Sequence, residues 1–497
     1  MRLSDVIAGT GARGALSDDP EIVRVTGDSR EVVAGALFCA LPGARVDGHA
    51  FAAEAAARGA VAVVAERPVE CAPARLLLAP SARRAMALCA ANLHGRPGDA
   101  LQLVGVTGTN GKTTVAWLVE ACARAAGRPA GLIGTVTHRF PGVERPAAYT
   151  TPESTALQAL LGEMRDAGTR LVVMEVSSHA LAQERVAGLR FAAAGFTNLT
   201  RDHLDYHGDM DGYFAAKRRL FVEHLAPDGT AVVNARDPWG ARLADQLGPG
   251  RIAWRYGTRA EDQLRAESPR LTMAGIEATV RTPRGPLALR SPLVGAHNLE
   301  NLLCAAGLAL AAGLPLAAVE AGLNASRGAP GRLERIDGRG LSVFVDYAHT
   351  DDALARAIEA LRSLGPRRLV VVFGCGGDRD RGKRPLMGAV AGRGAEVVVV
   401  TSDNPRTEDP LRIIAEIEPG LSQAGRPRRT AAEAMAGEPG YVIEPDRRAA
   451  IELALACARP GDAVLLAGKG HEATQLVGAE RRHLDDREEA RRALGLA

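Results

Sequence analysis

Leu103-Val-Gly-Val-Thr-Gly-Thr-Asn-Gly-Lys-Thr-Thr-Val115 is the stretch whose reading decides the fold. An apolar run, residues 101–106, meets a glycine-rich turn that ends in Lys112, Thr113 and Thr114 and passes into the helical pattern of residues 115–122. Strand, loop, helix is the order a phosphate cradle needs. Gly108 and Gly111 let backbone N–H groups turn toward an anion, the helix start adds the positive end of its dipole, and Lys112 supplies a mobile charge. The Thr113 hydroxyl is a candidate ligand for the Mg²⁺ that accompanies phosphates. The spacing departs from the common P-loop, because Val106 stands where its first glycine would be. The alternative is a plain strand-to-helix turn with a solvated lysine.

Composition sets the frame for that loop. At 497 residues the chain is too long for one core, and about three domains are expected. With 46% hydrophobic residues and 24% charged, it reads as a globular protein and not as a disordered chain. A net charge of +3 is too weak a bias to point to nucleic acid, although local arginines and lysines can collect small anions. The seven cysteines are odd in number and never form a Cys-x-x-Cys pair, which supports neither a disulfide framework nor a zinc knuckle. No apolar signal core opens the sequence and no apolar run is long enough to span a membrane, so a cytoplasmic protein without membrane insertion is expected.

Three domains follow in order: 1–97, 98–329 and 330–497. In the first, residues 36–41, 60–65 and 76–78 read as buried strands between Ala-rich helical segments. Its polar stretches Thr26-Gly-Asp-Ser-Arg30 and Leu41-Pro-Gly-Ala-Arg-Val-Asp-Gly-His49 are, taken alone, turn chemistry. In the second, strands alternate with helices, the pattern of a doubly wound sheet. There Leu171-Val-Val-Met-Glu175 is an apolar strand ending in a carboxylate beside the phosphate loop, which makes Glu175 the first choice for a metal ligand over a merely solvated glutamate. In the third, strands at 341–345, 369–373, 396–400 and 463–466 alternate with helices and suggest a Rossmann-like domain, with residues 481–497 as a charged helical end. The glycine-rich run 373–385 lacks the dinucleotide fingerprint, which disfavours NAD.

Thr-Gly-Thr-Asn-Gly-Lys-Thr-Thr, residues 107–114, resembles the loop of the Mur ligases and folylpolyglutamate synthetases, which join an amino acid to a carboxylate at the expense of ATP. The resemblance implies an ATP site of Gly108, Thr109, Asn110, Gly111, Lys112, Thr113 and Thr114. It extends to Asn298, from a His-Asn pair that could merely cap a helix, and to Arg332, Asp346 and His349, which reach the ribose and phosphates when the domains close. The Asp346 loop matches the family pattern except that Asp351 replaces a proline. The cluster Asn198-Leu-Thr-Arg-Asp-His203, followed ten residues later by the helix of Lys217, is similar to the Mur layout in which a histidine binds a second Mg²⁺ and the lysine carries a carbamate. Two Mg²⁺ ions are therefore expected, with Thr113, Glu175, His203 and carbamylated Lys217 as ligands and Lys112, His203 and Lys217 as the catalytic set.

The first domain resembles the UDP-binding portion of the Mur ligases that add the third stem-peptide residue. Ser29 is implied to contact the UDP part, and the loop containing Ala44 and Arg45 to lie near it. By the same resemblance Thr150, Thr151, Ser177, Gln183 and Arg185 hold the muramoyl-dipeptide acceptor, UDP-MurNAc-L-Ala-D-Glu. Arg185 also makes sense on its own, since a guanidinium forks onto a carboxylate. Thr401-Ser-Asp-Asn-Pro-Arg406 with Gly468-Lys-Gly-His-Glu472 resembles the version that adds meso-diaminopimelate, which implies a site of Arg379, Asp403, Asn404, Pro405, Arg406, Gly468 and Glu472. Lysine has no distal carboxylate, and an arginine left without its partner costs about 2–5 kcal/mol, or about 30-fold to a few thousand-fold in selectivity. Asn-Pro is also a plain turn former. A monomer is expected. The rivals are a lysine-adding ligase of the same family, a folylpolyglutamate synthetase-like ligase, and a nucleotide-dependent switch.

Overall fold

The structure, a computed structural model, describes residues 1–15, 18–43, 46–248 and 250–496. The chain divides into two compact units: Met1–Glu267 with Val280–Leu287 and Glu300–Leu323, and Ser268–Thr279 with Ala288–Leu299 and Asn324–Ala497. Among the described residues no helix is long and apolar enough to cross a membrane. All seven cysteines are buried and free.

Short runs of alanine, valine and leucine build the parallel strands of two sheets in the first unit, as expected for strands covered on both faces. Arg24–Thr26, Ala36–Cys39, Ala60–Ala65 and Arg75–Leu78 lie side by side in chain order. The helix Ala82–Leu93, capped by Ser81 Oγ accepting from Arg84 N at 3.2 Å, packs Ala85, Met86 and Cys89 against Leu37, Val64 and Leu77. The larger sheet orders its strands Ile252–Gly257, Leu225–Asn234, Phe191–Phe196, Gln102–Thr107, Leu171–Glu175 and Ala130–Ile133, all parallel, and then turns antiparallel through Thr137–Phe140 and Val143–Pro146. Leu103, Val172, Met174, Phe191 and Phe196 carry its core, closed by Leu157, Leu161, Phe214 and Phe221 from the covering helices. Each such side chain contributes about 1.5–3 kcal/mol by leaving water.

This order places the first strand of the sheet, Gln102–Thr107, between Leu171–Glu175 and Phe191–Phe196. The connection from Gln102–Thr107 runs to one side of the sheet and that from the adjacent Phe191–Phe196 to the other, so a crevice opens at their carboxyl ends, the usual ligand position of such sheets.

In the second unit the sheet runs Glu334–Gly338, Leu341–Asp346, Ala463–Ala467, Leu369–Phe373, Val397–Val400 and Gly440–Ile443. Only the first strand is antiparallel to its neighbour. Every residue of Leu369–Phe373, Val397–Val400 and Ala463–Ala467 is buried, which explains why valine and leucine fill them without alternation. The end of the chain departs from the single helix expected over residues 481–497. Glu480–His483 pairs antiparallel with Thr474–Val477 through a turn at Gly478, φ 58°, before the helix Asp486–Leu494 begins. Glu480–His483 is exposed throughout, so no apolar alternation marks it as a strand.

Candidate active site

Three strand ends meet at the crevice. Thr197 N donates to Thr107 O at 3.0 Å and Val176 N to Val106 O at 2.8 Å, continuing the ladders past the strands. The loop between Thr107 and the helix Lys112–Ala125 needs both its glycines. A Cβ on Gly108, φ 146°, would stand 1.9 Å from Thr197 Oγ1, and one on Gly111, φ 87°, would stand 2.3 Å from Asn301 Oδ1. Asn110 N donates to Asn198 Oδ1 at 3.0 Å, and Thr109 Oγ1 lies 3.3 Å from Tyr213 Oη. Lys112 folds over the loop, its Nζ donating to Gly108 O at 3.0 Å and Thr109 O at 2.9 Å. Thr113 and Thr114 are buried in the first helical turn.

Glu175 is buried against that turn. Its Oε2 accepts from Thr113 Oγ1 and Thr135 Oγ1, each at 3.0 Å, and its Oε1 from Thr135 N at 2.8 Å. Thr135 Oγ1 lies 3.0 Å from Thr150 Oγ1, and Thr151 Oγ1 donates to the Glu175 carbonyl at 2.8 Å while accepting from Ser177 N at 3.1 Å. Ser177 Oγ in turn caps the helix Ser178–Ala182. Arg185 Nη1 donates to Thr151 O at 2.8 Å, its Nη2 to Gln183 Oε1 at 2.7 Å, and it pairs with Glu153 at 2.5 Å. Thr150, Thr151, Ser177, Gln183 and Arg185 thus form one group, joined to the phosphate loop through Glu175.

Lys217, on the helix Met210–Arg219, is buried with its Nζ 2.8 Å from Gly108 O and 4.5 Å from the centre of the Tyr213 ring. Burial, and next the charge of Lys112, hold its amine well below the usual lysine range, with Asp202 opposing. His203 adopts φ 53°, has its ring half exposed, and sets Nε2 3.4 Å from Asp202 Oδ2. Desolvation lowers its pKa. The His179 ring stands edge-on to it at 4.7 Å, and the His207 ring stacks on Tyr213 at 5.1 Å. Burial, then the neighbouring His179, lower His207 to about 4.

Ser29 opens a short turn, Ser29–Glu31, capped by Asp28 accepting from Arg30 N at 2.9 Å, and its carbonyl accepts from Arg58 Nη1 at 3.0 Å. Ala44 and Arg45 lie outside the described residues.

In the second unit Asp346 ends a strand and accepts from Leu333 N at 2.7 Å and Ala348 N at 2.9 Å; burial raises its pKa, opposed by Arg332. The Arg332 guanidinium lies 4.9 Å above the Tyr347 ring, whose other neighbours are His349 and His471. Asn298 is buried near the start of the helix Ala296–Ala311, its Nδ2 donating to Val294 O at 2.9 Å. Asn404 Nδ2 donates to Glu472 Oε2 at 2.9 Å, and Leu476 N donates back to Asn404 Oδ1 at 3.0 Å. Gly468 adopts φ 117°, and a Cβ there would stand 2.6 Å from Asp403 Oδ2. Arg406, φ 53°, donates from Nη1 to Gly377 O at 2.7 Å. Gly376 lies between Arg406 and Arg379: a Cβ there would be 3.0 Å from Arg406 Nη1 and 3.6 Å from Arg379 Cγ. Pro405 is buried, its carbonyl against Gly377.

The chain matches three family models: "Mur ligase family, catalytic domain" over residues 21–92, "Mur ligase middle domain" over 106–309 and "Mur ligase, glutamate ligase domain" over 331–470. It is similar to the UDP-N-acetylmuramoyl-L-alanyl-D-glutamate–2,6-diaminopimelate ligases of Geobacter metallireducens, 47% identical over 98% of this chain and 97% of the relative, and of Parasynechococcus marenigrum, 48% identical over 96% and 95%. A solved structure of a ligase with that name superposes with a TM-score of 0.71 at 34% identity, covering 95% of each chain. The chain belongs to the Mur ligase family.

These residues could furnish a site for the divalent cation that commonly accompanies phosphates. Among the described residues no three His, Cys, Asp or Glu side chains gather as a preformed cage. Mg²⁺ does not require one, since it takes one or two protein oxygens and completes its shell with phosphate and water. The Thr113 hydroxyl and the Glu175 carboxylate supply such oxygens and fit. Lys217 fits only after carboxylation, because an amine is a poor ligand for so hard a cation. Sequence reasoning missed Thr135, Thr197, Asn301, His179, His207 and Tyr213. Thr135 and Thr197 follow strand ends, a signal that could have flagged them, whereas Asn301 is brought to Gly111 from 190 residues away by the fold alone.

Proposed function

We propose that this Mur ligase uses ATP to join meso-2,6-diaminopimelate to the D-glutamyl γ-carboxylate of UDP-N-acetylmuramoyl-L-alanyl-D-glutamate, acting as a cytoplasmic monomer in peptidoglycan precursor synthesis. The observation that carries this reading is the short path from phosphate loop to carboxylate grip. Thr113 touches Glu175, the Glu175 carbonyl holds Thr151, and the Thr151 carbonyl holds Arg185. An acid seated on Arg185 lies within reach of a phosphate seated on the loop.

In this reading residues 1–97, 98–329 and 330–497 serve the UDP end, the ATP and the amino acid respectively. Gly108, Thr109, Asn110, Gly111, Thr113 and Thr114 cradle the triphosphate, with Asn298, Arg332, Asp346 and His349 on the adenosine and ribose. Lys112 exchanges the carbonyls of Gly108 and Thr109 for phosphate oxygens. Mg²⁺ at Thr113 and Glu175, and at His203 and carbamylated Lys217, supplies the positive charge that phosphoryl transfer to a carboxylate demands. Ser29 holds the UDP end, while Thr150, Thr151, Ser177, Gln183 and Arg185 orient the dipeptide. Its γ-carboxylate attacks the γ-phosphorus, and ADP leaves. The diaminopimelate amine then attacks the acyl phosphate carbon, and phosphate leaves. Arg406 and Arg379, either side of Gly376, suit the distal carboxylate. Asp403, Asn404, Pro405, Gly468 and Glu472 frame the reacting amino acid.

Phosphate release by the purified chain with ATP, Mg²⁺ and the UDP-dipeptide, offered diaminopimelate, L-lysine or glutamate in turn, tests this. Release with diaminopimelate alone is expected. Equal use of lysine overturns the amino-acid assignment, and turnover indifferent to every amine overturns the ligase.

A further inference from the structure

The helix Ser178–Ala182 ends in a left-handed turn that glycine normally supplies. Arg185 N donates to Ala180 O at 2.9 Å and Glu184 N to Leu181 O at 3.4 Å, the paired bonds of a Schellman motif. The residue at its left-handed position is Glu184, φ 58°, which a non-glycine side chain adopts only at a cost. The two side chains flanking it, Gln183 and Arg185, are those assigned above to the acceptor.

What holds Glu184 there is Arg219, two residues beyond Lys217 on the helix Met210–Arg219. Its Nη2 pairs with the Glu184 carboxylate, its Nη1 donates to Leu181 O at 2.6 Å, and Glu223 fixes the far side of the guanidinium at 2.8 and 2.9 Å. One planar cation therefore neutralises the strained residue and satisfies a carbonyl at the negative end of the helix. Arg84 adds a weaker contact to Glu184 at 3.5 Å.

We infer that Arg219 is a positioning residue for the acceptor: through Glu184 it sets the turn that aims Gln183 and Arg185, tying the acceptor grip to the helix that carries Lys217. This rests on the ligase reading above.

The test measures steady-state constants for Arg219→Ala and Arg219→Lys with each substrate varied. Arg219→Ala should raise the KM for the UDP-dipeptide about tenfold and leave those for ATP and diaminopimelate within about twofold, the pattern of lost acceptor binding. Arg219→Lys, a point charge in place of the fork, should recover only part. The decisive variant is Arg219→Ala with Glu184→Gly, because glycine adopts the left-handed turn without the ion pair, so acceptor KM should return toward wild type. A lower melting temperature with unchanged acceptor KM in Arg219→Ala overturns the inference, as does failure of the double variant to recover while folded. A wild-type chain that consumes no ATP with the UDP-dipeptide and diaminopimelate fails the ligase reading instead.

Discussion

The Nζ atoms of Lys112 and Lys217 both donate to one oxygen, the carbonyl of Gly108, at 3.0 and 2.8 Å. The two amines crowd one oxygen, and the buried one bears the penalty: Lys217 is held well below its ordinary pKa, by burial first and by Lys112 second. We propose that CO₂ adds to this amine, because a carbamate there would be an anion that Lys112 attracts instead of repelling.

Lys217→Ala should therefore lower ligation on the order of 10²–10³-fold, the range for losing one group that stabilises transferring charge. Wild-type enzyme in CO₂-free buffer should lose activity and regain it when bicarbonate returns. A ¹³C-bicarbonate label should give a carbamate NMR signal that Lys217→Ala lacks; its absence from active wild-type enzyme would refute carbamylation.

Glu175 accepts three hydrogen bonds, from Thr113 Oγ1, Thr135 Oγ1 and Thr135 N, and presents its charge to the phosphate loop. Glu175→Gln keeps the shape but turns an amide donor toward groups that already donate. We expect kcat to fall on the order of 10²-fold and the Mg²⁺ needed for half-maximal rate to rise. Titrating Mg²⁺ against both enzymes after chelation reads this, and an unchanged Mg²⁺ dependence removes Glu175 from the metal.

The fold class and the family were legible because their signals are local. Residues 101–122 read as strand, loop and helix, and the structure has Gln102–Thr107 and Lys112–Ala125. Glu175 could be read as a strand-end carboxylate facing the loop, and the structure puts it on Thr113. What stayed hidden depends on distant partners. Nothing near Gly111 announces Asn301, nothing near Glu184 announces Arg219, and the strand Glu480–His483 is exposed along its length. Such contacts follow from sheet order and helix packing, which no local period encodes.

The wall behind the phosphate loop leaves Gly108 no room for a side chain. Its left-handed φ of 146° and the 1.9 Å approach of Thr197 Oγ1 to a Cβ act together, and Asn198 N and O stand at 3.1 Å. Gly108→Ala should weaken ATP binding by about 2 kcal/mol or more, or about 30-fold. Adding Thr197→Ala should not restore it, because the Asn198 backbone remains. Calorimetric titration of ATP into the variants checks both statements, and recovery in the double variant would show that sterics at Thr197 are the whole effect.

Arg406 is held in a left-handed backbone conformation with Nη1 on Gly377 O, beside Arg379 across Gly376. Arg406→Ala should raise the KM for diaminopimelate about 30-fold or more, the lower end of truncating a charged recognition pair. The constants for ATP and the UDP-dipeptide should stay near wild type. Because lysine lacks the distal carboxylate, the variant should also discriminate less between the two amino acids; undiminished preference for diaminopimelate would move selectivity elsewhere.

His224 offers a pH test away from the chemistry. It is 3% exposed, its Nε2 has no hydrogen-bond partner among the described residues, and burial lowers its pKa from 6.5 to about 4. The folded value lies below the unfolded one, so the unfolded chain binds the proton first as pH falls. The stability His224 contributes is therefore fully present above pH about 6.5 and is lost as pH drops toward 4, by about 2 kcal/mol at pH 5. His224→Leu removes the titration while keeping a buried side chain of similar size, so its unfolding free energy should fall less steeply over that interval. Urea unfolding of both proteins at pH 7.5, 6 and 5, in chelator to exclude metal effects, gives the comparison. Parallel slopes would mean that His224 takes up its proton without unfolding, and that its pocket opens to water.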